Sequence, residues 1–174
     1  MATKPTTSTP APTPAPQQSN TTSGLLSLPA NHDLNASGEK NKAIALAFIQ
    51  SYGNALTSGS TTGYNSLVDK YMTDSVNDYD TEFKKLAKER TSKAIRSDIE
   101  INDSQVITKY AGILKNATIN DVKFDTKYSD KSSGYTTLQY YIDLPGFFIS
   151  KFNHYLEFQL DNKTNTYLLT GANM

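Results

Sequence analysis

Three side chains in the C-terminal part of the sequence have the types that acid–base chemistry requires. Asp143, His154 and Glu157 lie in segments where apolar and polar residues alternate. A carboxylate or imidazole in a desolvated site can move a proton beside a bound substrate. The alternation places His154 on the apolar side and the two carboxylates on the other. An inward histidine without a carboxylate beside it is typical of a protein core. We therefore expect no catalytic residue and no enzymatic activity, and we keep His154 only as a candidate pocket residue.

A run of basic residues offers a second chemistry, contact with nucleic-acid phosphates. Its members are Lys84, Lys85, Lys88, Arg90, Lys93 and Arg96. Glu82 and Glu89 interrupt the run, and no aromatic residues alternate with it as a single-strand binding surface requires. The 17 basic and 17 acidic residues of the chain cancel, which gives no long-range attraction to polyanions. We interpret the run as a solvated helix face and expect no nucleic-acid partner.

Tyrosine is abundant, with 11 residues in the chain. Four tyrosines fall on the polar side of predicted strands and are candidate interaction residues: Tyr135, Tyr141, Tyr155 and Tyr167. Exposed aromatic rows often mark protein interfaces, because they offer a large contact area at a small entropy cost. The alternative is an ordinary two-faced sheet whose outer side is partly covered by a helix or by its own twist.

Several kinds of site are excluded by composition. The chain has no cysteine and only two histidines, His32 and His154. Disulfides, thiolate metal sites and multi-histidine metal sites are therefore ruled out, and we expect no metal and no cofactor. The sequence contains no apolar run of about 18 residues, the length that spans a bilayer.

The first 36 residues differ in composition from the rest. They are rich in Thr, Pro and Ser, and their Ala-Pro and Thr-Pro pairs favour extended polyproline II. So little apolar surface cannot offset the entropy of ordering, although Leu25, Leu26 and Leu28 could dock on a domain. The sequence predicts a disordered tether over residues 1–36, dispensable for folding, and a folded domain over residues 37–174.

Apolar spacing within the domain changes from the helical period to the strand period. The first helix is predicted over about residues 37–56, and Gly59 should follow its end in a left-handed conformation. A second helix is predicted from about residues 60–62 onwards, and a third between Val76 and Ile95. Strands are predicted near 122–128, 138–144, 152–160 and 167–172, whereas residues 99–119 fit either element. This order predicts an α+β fold with N-terminal helices packed on one face of a curved antiparallel sheet.

The core is predicted to join the first helix to the sheet. The residues on the apolar sides of these elements are Phe48, Tyr52, Leu138, Ile142, Leu156 and Phe158.

A family resemblance follows from the element order and from two segments. The aromatic-rich helix AFIQSYGNALTSG, the short helix NSLVDKYM and the C-terminal antiparallel strands resemble the cone-shaped nuclear-transport-factor-like fold. Within that fold, residues 37–174 look most like the VirB-eight-like domains of type IV secretion systems, in particular the Gram-positive conjugation proteins of the TraH, TraM and TcpC kind.

The resemblance implies a non-catalytic assembly component of a conjugative secretion apparatus. Its expected partners are other channel subunits or further copies of itself. It would be displayed at the cell surface, outside the cytoplasm, with a lipid or transmembrane anchor lying outside this sequence. Two alternatives stay open: a small-molecule-binding or isomerase-like cone, and a surface lipoprotein domain with another partner. A pocket lined by paired polar groups would favour the cone, and a filled core with an exposed aromatic sheet would favour assembly.

Overall fold

The computed structural model describes residues 24–101, 104–147 and 150–174. The part of the predicted tether over residues 1–23 lies outside this range. The helices are α1 (Leu34–Lys40), α2 (Lys42–Ser58), α3 (Thr62–Tyr71), α4 (Phe83–Ile101) and α5 (Ser104–Asn116). The strands are β1 (Ser27–Pro29), β2 (Ser75–Val76), β3 (Tyr79–Asp80), β4 (Lys123–Phe124), β5 (Asp130–Ser132), β6 (Tyr135–Asp143), β7 (Lys151–Asp161) and β8 (Thr166–Asn173).

The main sheet is antiparallel and open. Its strand order is β1-β8-β7-β6-β4, with β5 also paired to β6, and β2 and β3 form a separate hairpin. The helices pack on one face of this sheet, where the apolar sides of β6 and β7 meet α2. The predicted α+β class is therefore confirmed.

The core forms where the first long helix meets the central strands. Each of the six residues predicted to join helix and sheet is at most 2% exposed: Phe48, Tyr52, Leu138, Ile142, Leu156 and Phe158. Strand alternation and helical spacing each select one side of an element for burial. Burying both sides together removes them from water, which is the main driving force for folding.

The first predicted helix is divided in two. Asn41 separates α1 from α2, and its side-chain amide donates a 2.8 Å hydrogen bond to the carbonyl of Ser37. Helix α2 ends as predicted at Gly59, which has a left-handed φ of 71°. In α1, a methyl group at Gly38 would lie 2.3 Å from the ring of Phe124, so glycine lets the helix lie directly on β4.

Residues 104–116, in the segment that fitted either element, form α5, which packs closely on α2. A methyl group at Gly53 would lie 2.5 Å from the backbone nitrogen of Lys115 and 2.9 Å from the carbonyl oxygen of Ala111. Ala111 and Leu114 are fully buried on the side that faces α2, although the segment is rich in β-branched residues. Tertiary packing therefore outweighs their strand propensity.

The third predicted helix begins later than the apolar spacing indicated. Val76 and Tyr79 lie in the β2–β3 hairpin, not in a helix. Asn77 and Asp78 have left-handed φ values of 55° and 67°, the conformation of a tight hairpin turn that Asn and Asp tolerate. The side-chain amide of Asn77 also donates a hydrogen bond to the backbone carbonyl of Leu160, which attaches the hairpin to the main sheet.

Two further sequence predictions are corrected. The strand predicted near 122–128 pairs only over Lys123–Phe124. The chain then turns at Asp125, whose backbone carbonyl accepts a hydrogen bond from the backbone amide of Ser129.

Residues 24–36 belong to the fold and not to a tether. Ser27–Pro29 pairs with β8, and Leu28 is 4% exposed. Leu28 and the partly buried Leu26 thus contact the core, and together with backbone pairing they help to order a short segment that its composition marks as disordered.

The close approach of α2 and α5 predicts opposite effects of alanine at two helical glycines. Gly53→Ala must push the helices apart and should destabilise the protein by about 1–3 kcal/mol. Gly112→Ala, where the added methyl meets nothing within 4 Å, should stabilise it by about 0.5–1 kcal/mol. Urea unfolding measures both. A Gly53→Ala variant as stable as Gly112→Ala would contradict the contact.

The burial of Leu28 predicts that the N-terminal strand stabilises the domain. Leu28→Ala should lower the free energy of unfolding by about 2–4 kcal/mol, because it leaves a cavity between β1 and the core. Leu25→Ala, at a half-buried position outside the strand, is the matched control and should cost clearly less. Equal effects in thermal or urea unfolding would show that β1 is only loosely attached.

Candidate functional site

The outer face of the main sheet carries three of the four predicted interaction tyrosines. Tyr135 is 58% exposed, and Tyr141 and Tyr155 are half-buried. All three lie opposite to the apolar side of their strands, as the alternation predicted. They share this face with four charged residues: Lys123, Asp143 and Lys151 lie near Tyr141, and Glu157 lies in the middle of β7, next to Tyr155 on the same side.

The strand register brings two of these tyrosines together. Tyr141 pairs with Asn153, and Tyr155 is the next residue along β7 on the same face. Such diagonal neighbours are within reach of aromatic side chains. The amine of Lys151 lies 4.3 Å from the centroid of the Tyr141 ring, a cation–π geometry. Tyr141, Tyr155 and Lys151, together with the more exposed Tyr135, form what we call the tyrosine face.

The prediction that Tyr167 faces outwards is wrong. Tyr167 is 4% exposed, because it pairs with Leu160 of β7 and Leu28 of β1, which lie on the inner face. Residues directly opposite each other in paired strands point to the same side. Its ring meets His32 edge-on, with centroids 5.4 Å apart. Tyr167 is a core residue and not part of the tyrosine face.

His154 points inwards, as predicted, and is fully buried. Neither ring nitrogen has a hydrogen-bond partner among the described residues, and the nearest ring is that of Phe152 at 4.6 Å. Burial lowers the pKa of His154 to about 3, so the ring is neutral at physiological pH. Asp143 and Glu157 lie on the opposite face. The structure therefore does not bring the three acid–base candidates together.

A pocket of about 720 Å³ lies where α5 and the end of α4 meet the β6–β7 connection. Its apolar walls come from Leu56, Val106, Ile107, Tyr110, Leu144, Phe147 and Phe152, and its polar side chains are Asp98, Gln105 and Lys109. His154 does not line it, although its neighbour Phe152 does. Sequence reasoning missed this site because five of its eleven lining residues lie in the ambiguous segment 99–119, and the others come from four separate parts of the chain.

The inner end of the pocket contains a hydrogen-bonded carboxylate. The hydroxyl of Tyr52 donates to Asp98 at 2.7 Å. Burial and this hydrogen bond raise the pKa of Tyr52 above its usual range. The pKa of Tyr110 is also raised, mainly by burial and further by the nearby Tyr52 hydroxyl and Asp98. Both phenols stay protonated at physiological pH. Tyr52 acts as a hydrogen-bond donor, whereas the buried hydroxyl of Tyr110 has no hydrogen-bond partner among the described residues, and neither phenol acts as a base.

The basic run lies on α4, as the helix-face interpretation required. Lys85 forms an ion pair with Glu82 at 3.0 Å, Lys88 with Asp69 at 2.6 Å, and Arg90 donates to Asn173 at 3.2 Å. These acidic and polar neighbours engage half of the run, so the surface is mixed in charge and not a continuous basic patch.

Among the described residues, no group of three or more His, Asp or Glu side chains is close enough to hold a metal ion. None of the described helices combines the length and apolar character that crossing a bilayer requires. No family model, curated protein or solved structure matches this chain.

The buried, unpaired His154 predicts acid-sensitive stability. Below pH 6.5 the unfolded chain gains a proton on this residue, which the folded protein cannot take up until about pH 3. The stability present above pH 6.5 therefore falls as the pH drops, by about 2 kcal/mol between pH 7 and pH 5.

His154→Leu removes this titration, so its stability should fall by about 2 kcal/mol less over the same interval. At pH 7 the variant should be at least as stable as the wild type, because no hydrogen bond is lost. His32 is present in both proteins, so the difference between their urea-unfolding curves isolates His154. Parallel pH profiles would contradict its burial in a neutral state.

Proposed function

We propose that this protein works by contact, as a non-catalytic assembly component of a type IV secretion (conjugative transfer) apparatus outside the cytoplasm. The observation that carries the contact part is the tyrosine face: three outward tyrosines on the two longest strands, of which Tyr141 and Tyr155 are half-buried diagonal neighbours and Tyr135 is exposed further along the same face. The secretion context rests on the resemblance of residues 37–174 in element order.

The tyrosine face has the composition of a protein interface. Tyr141 and Tyr155 offer large, fairly rigid contact area, and charged residues of both signs lie beside them on the same face. Tyr141 is already held by Lys151 on one side and by its strand neighbours on the other. Less side-chain entropy is then lost on binding. The partner we propose is another subunit of the secretion channel.

A second candidate function, small-molecule binding, is favoured by the pocket beside α5. Its volume lies within the range of ligand sites, about 300–1,000 Å³, and its walls are mostly apolar with few polar groups. An isomerase-like activity finds less support, because Asp98 accepts the hydrogen bond of the Tyr52 hydroxyl and His154 has no hydrogen-bond partner among the described residues. Binding without chemistry is the version of this alternative that the geometry favours.

The contact proposal predicts a separation of binding from folding. Replacing Tyr141 and Tyr155 together by Ser should reduce recovery of partner subunits in a pull-down at least ten-fold, as expected when central aromatic contacts are lost. Circular dichroism and the thermal midpoint should change little, because both residues lie outside the core.

Tyr128→Ser is the matched control, since Tyr128 is 59% exposed and lies outside the strands. This variant should bind as the wild type does. Analytical ultracentrifugation of the purified protein separates a channel subunit from self-association as the partner. Undiminished pull-down by the folded double variant would overturn the proposal.

A further inference from the structure

The pocket beside α5 has an apolar wall on which a chain or ring could lie. Leu56 from α2, Leu144 and Phe147 from the β6–β7 connection and Phe152 from β7 converge on it. Tyr110 stands between the last two, with its ring centroid 6.3 Å from that of Phe147 and 5.0 Å from that of Phe152. Three aromatic rings therefore form a continuous wall, which favours the apolar part of a ligand.

The two charged residues of the pocket differ in how they are engaged. Asp98 accepts the hydrogen bond of the Tyr52 hydroxyl. Lys109 has no carboxylate partner among the described residues, and its amine lies 4.9 Å from the centroid of the Phe147 ring. Lys109 is exposed, so its amine sits at the entrance over the apolar wall. The charge that is left to pair with a ligand is therefore positive.

We propose that this pocket binds a single-chain amphipathic carboxylate, with its apolar chain against Leu144, Phe147 and Phe152 and its carboxylate paired with Lys109. The negative charge of Asp98 repels a carboxylate from its own part of the pocket. The head group is therefore directed to the entrance, where Lys109 and solvent are available. This site lies apart from the tyrosine face and does not depend on the proposed assembly role.

The test compares two ligands that differ only in the head group, decanoate and 1-decanol, by isothermal titration calorimetry on the full chain. The wild type should bind both and should prefer decanoate. Lys109→Gln should weaken decanoate binding about five-fold, the effect of losing one partly exposed ion pair, and should leave decanol binding unchanged. Lys115→Gln, an exposed lysine on the same helix that does not line the pocket, is the control and should bind like the wild type.

A second variant tests the location of the site. Val106→Trp places a large ring at the entrance from a position that is 45% exposed, so the fold tolerates it. This variant should lose both ligands while keeping the wild-type circular dichroism spectrum. The proposal is overturned if the wild type binds neither ligand, if Lys109→Gln and Lys115→Gln bind decanoate equally, or if folded Val106→Trp still binds both.

Discussion

Helix α2 packs against the inner sides of β6 and β7, and this contact fixes the register of the two strands. The positions of both candidate surfaces depend on it. Phe48, Ile49 and Tyr52 of α2 are buried with Leu138 and Leu156 of the strands. Slippage of either strand by one residue would turn these leucines to solvent and bring polar side chains into the core. The apolar contact therefore fixes which side of each strand faces outwards, and the tyrosines lie there as a consequence.

The pocket depends on how α5 is attached. The C-terminal half of the helix is pinned to α2, because Ala111 and Leu114 are buried and Gly53 allows the two backbones to approach closely. The N-terminal half is more exposed, and Val106 is 45% accessible there. A helix held at one end and open at the other leaves space above the β6–β7 connection. The same close packing that stabilises the domain thus produces a cavity at the other end of α5.

The sequence predicted the elements that rest on local periodicity and missed those that depend on distant partners. Alternation alone gave β6, β7 and their inward residues. Tyr167 was misplaced because its orientation follows from its pairing with Leu160 of β7 and Leu28 of β1, which alternation within one segment does not reveal. The β2–β3 hairpin was missed because Asn77 and Asp78 adopt left-handed conformations that leave the apolar spacing of the segment unchanged.

The ordered N-terminal segment illustrates the same limit. His32 hydrogen-bonds through its two ring nitrogens to Ser37 and Thr136, at 3.0 and 3.1 Å, and Lys131 donates to its backbone carbonyl at 2.7 Å. These polar contacts join a stretch of low hydrophobicity to β6 and to the strand before it. Composition measures only how much apolar surface a segment can bury, so it cannot detect order supported by a buried polar cluster.

The two candidate surfaces meet in β7 without sharing a side chain. Phe152 lines the pocket, whereas Asn153 and Tyr155 face the other way, on the tyrosine face. His154, between them in sequence, points into the core and has no polar partner among the described residues through which a charge could be relayed. Substitutions on opposite sides of a strand, with no contact in common, usually have additive effects. Binding at the tyrosine face and binding in the pocket can therefore be altered one at a time in a single folded domain.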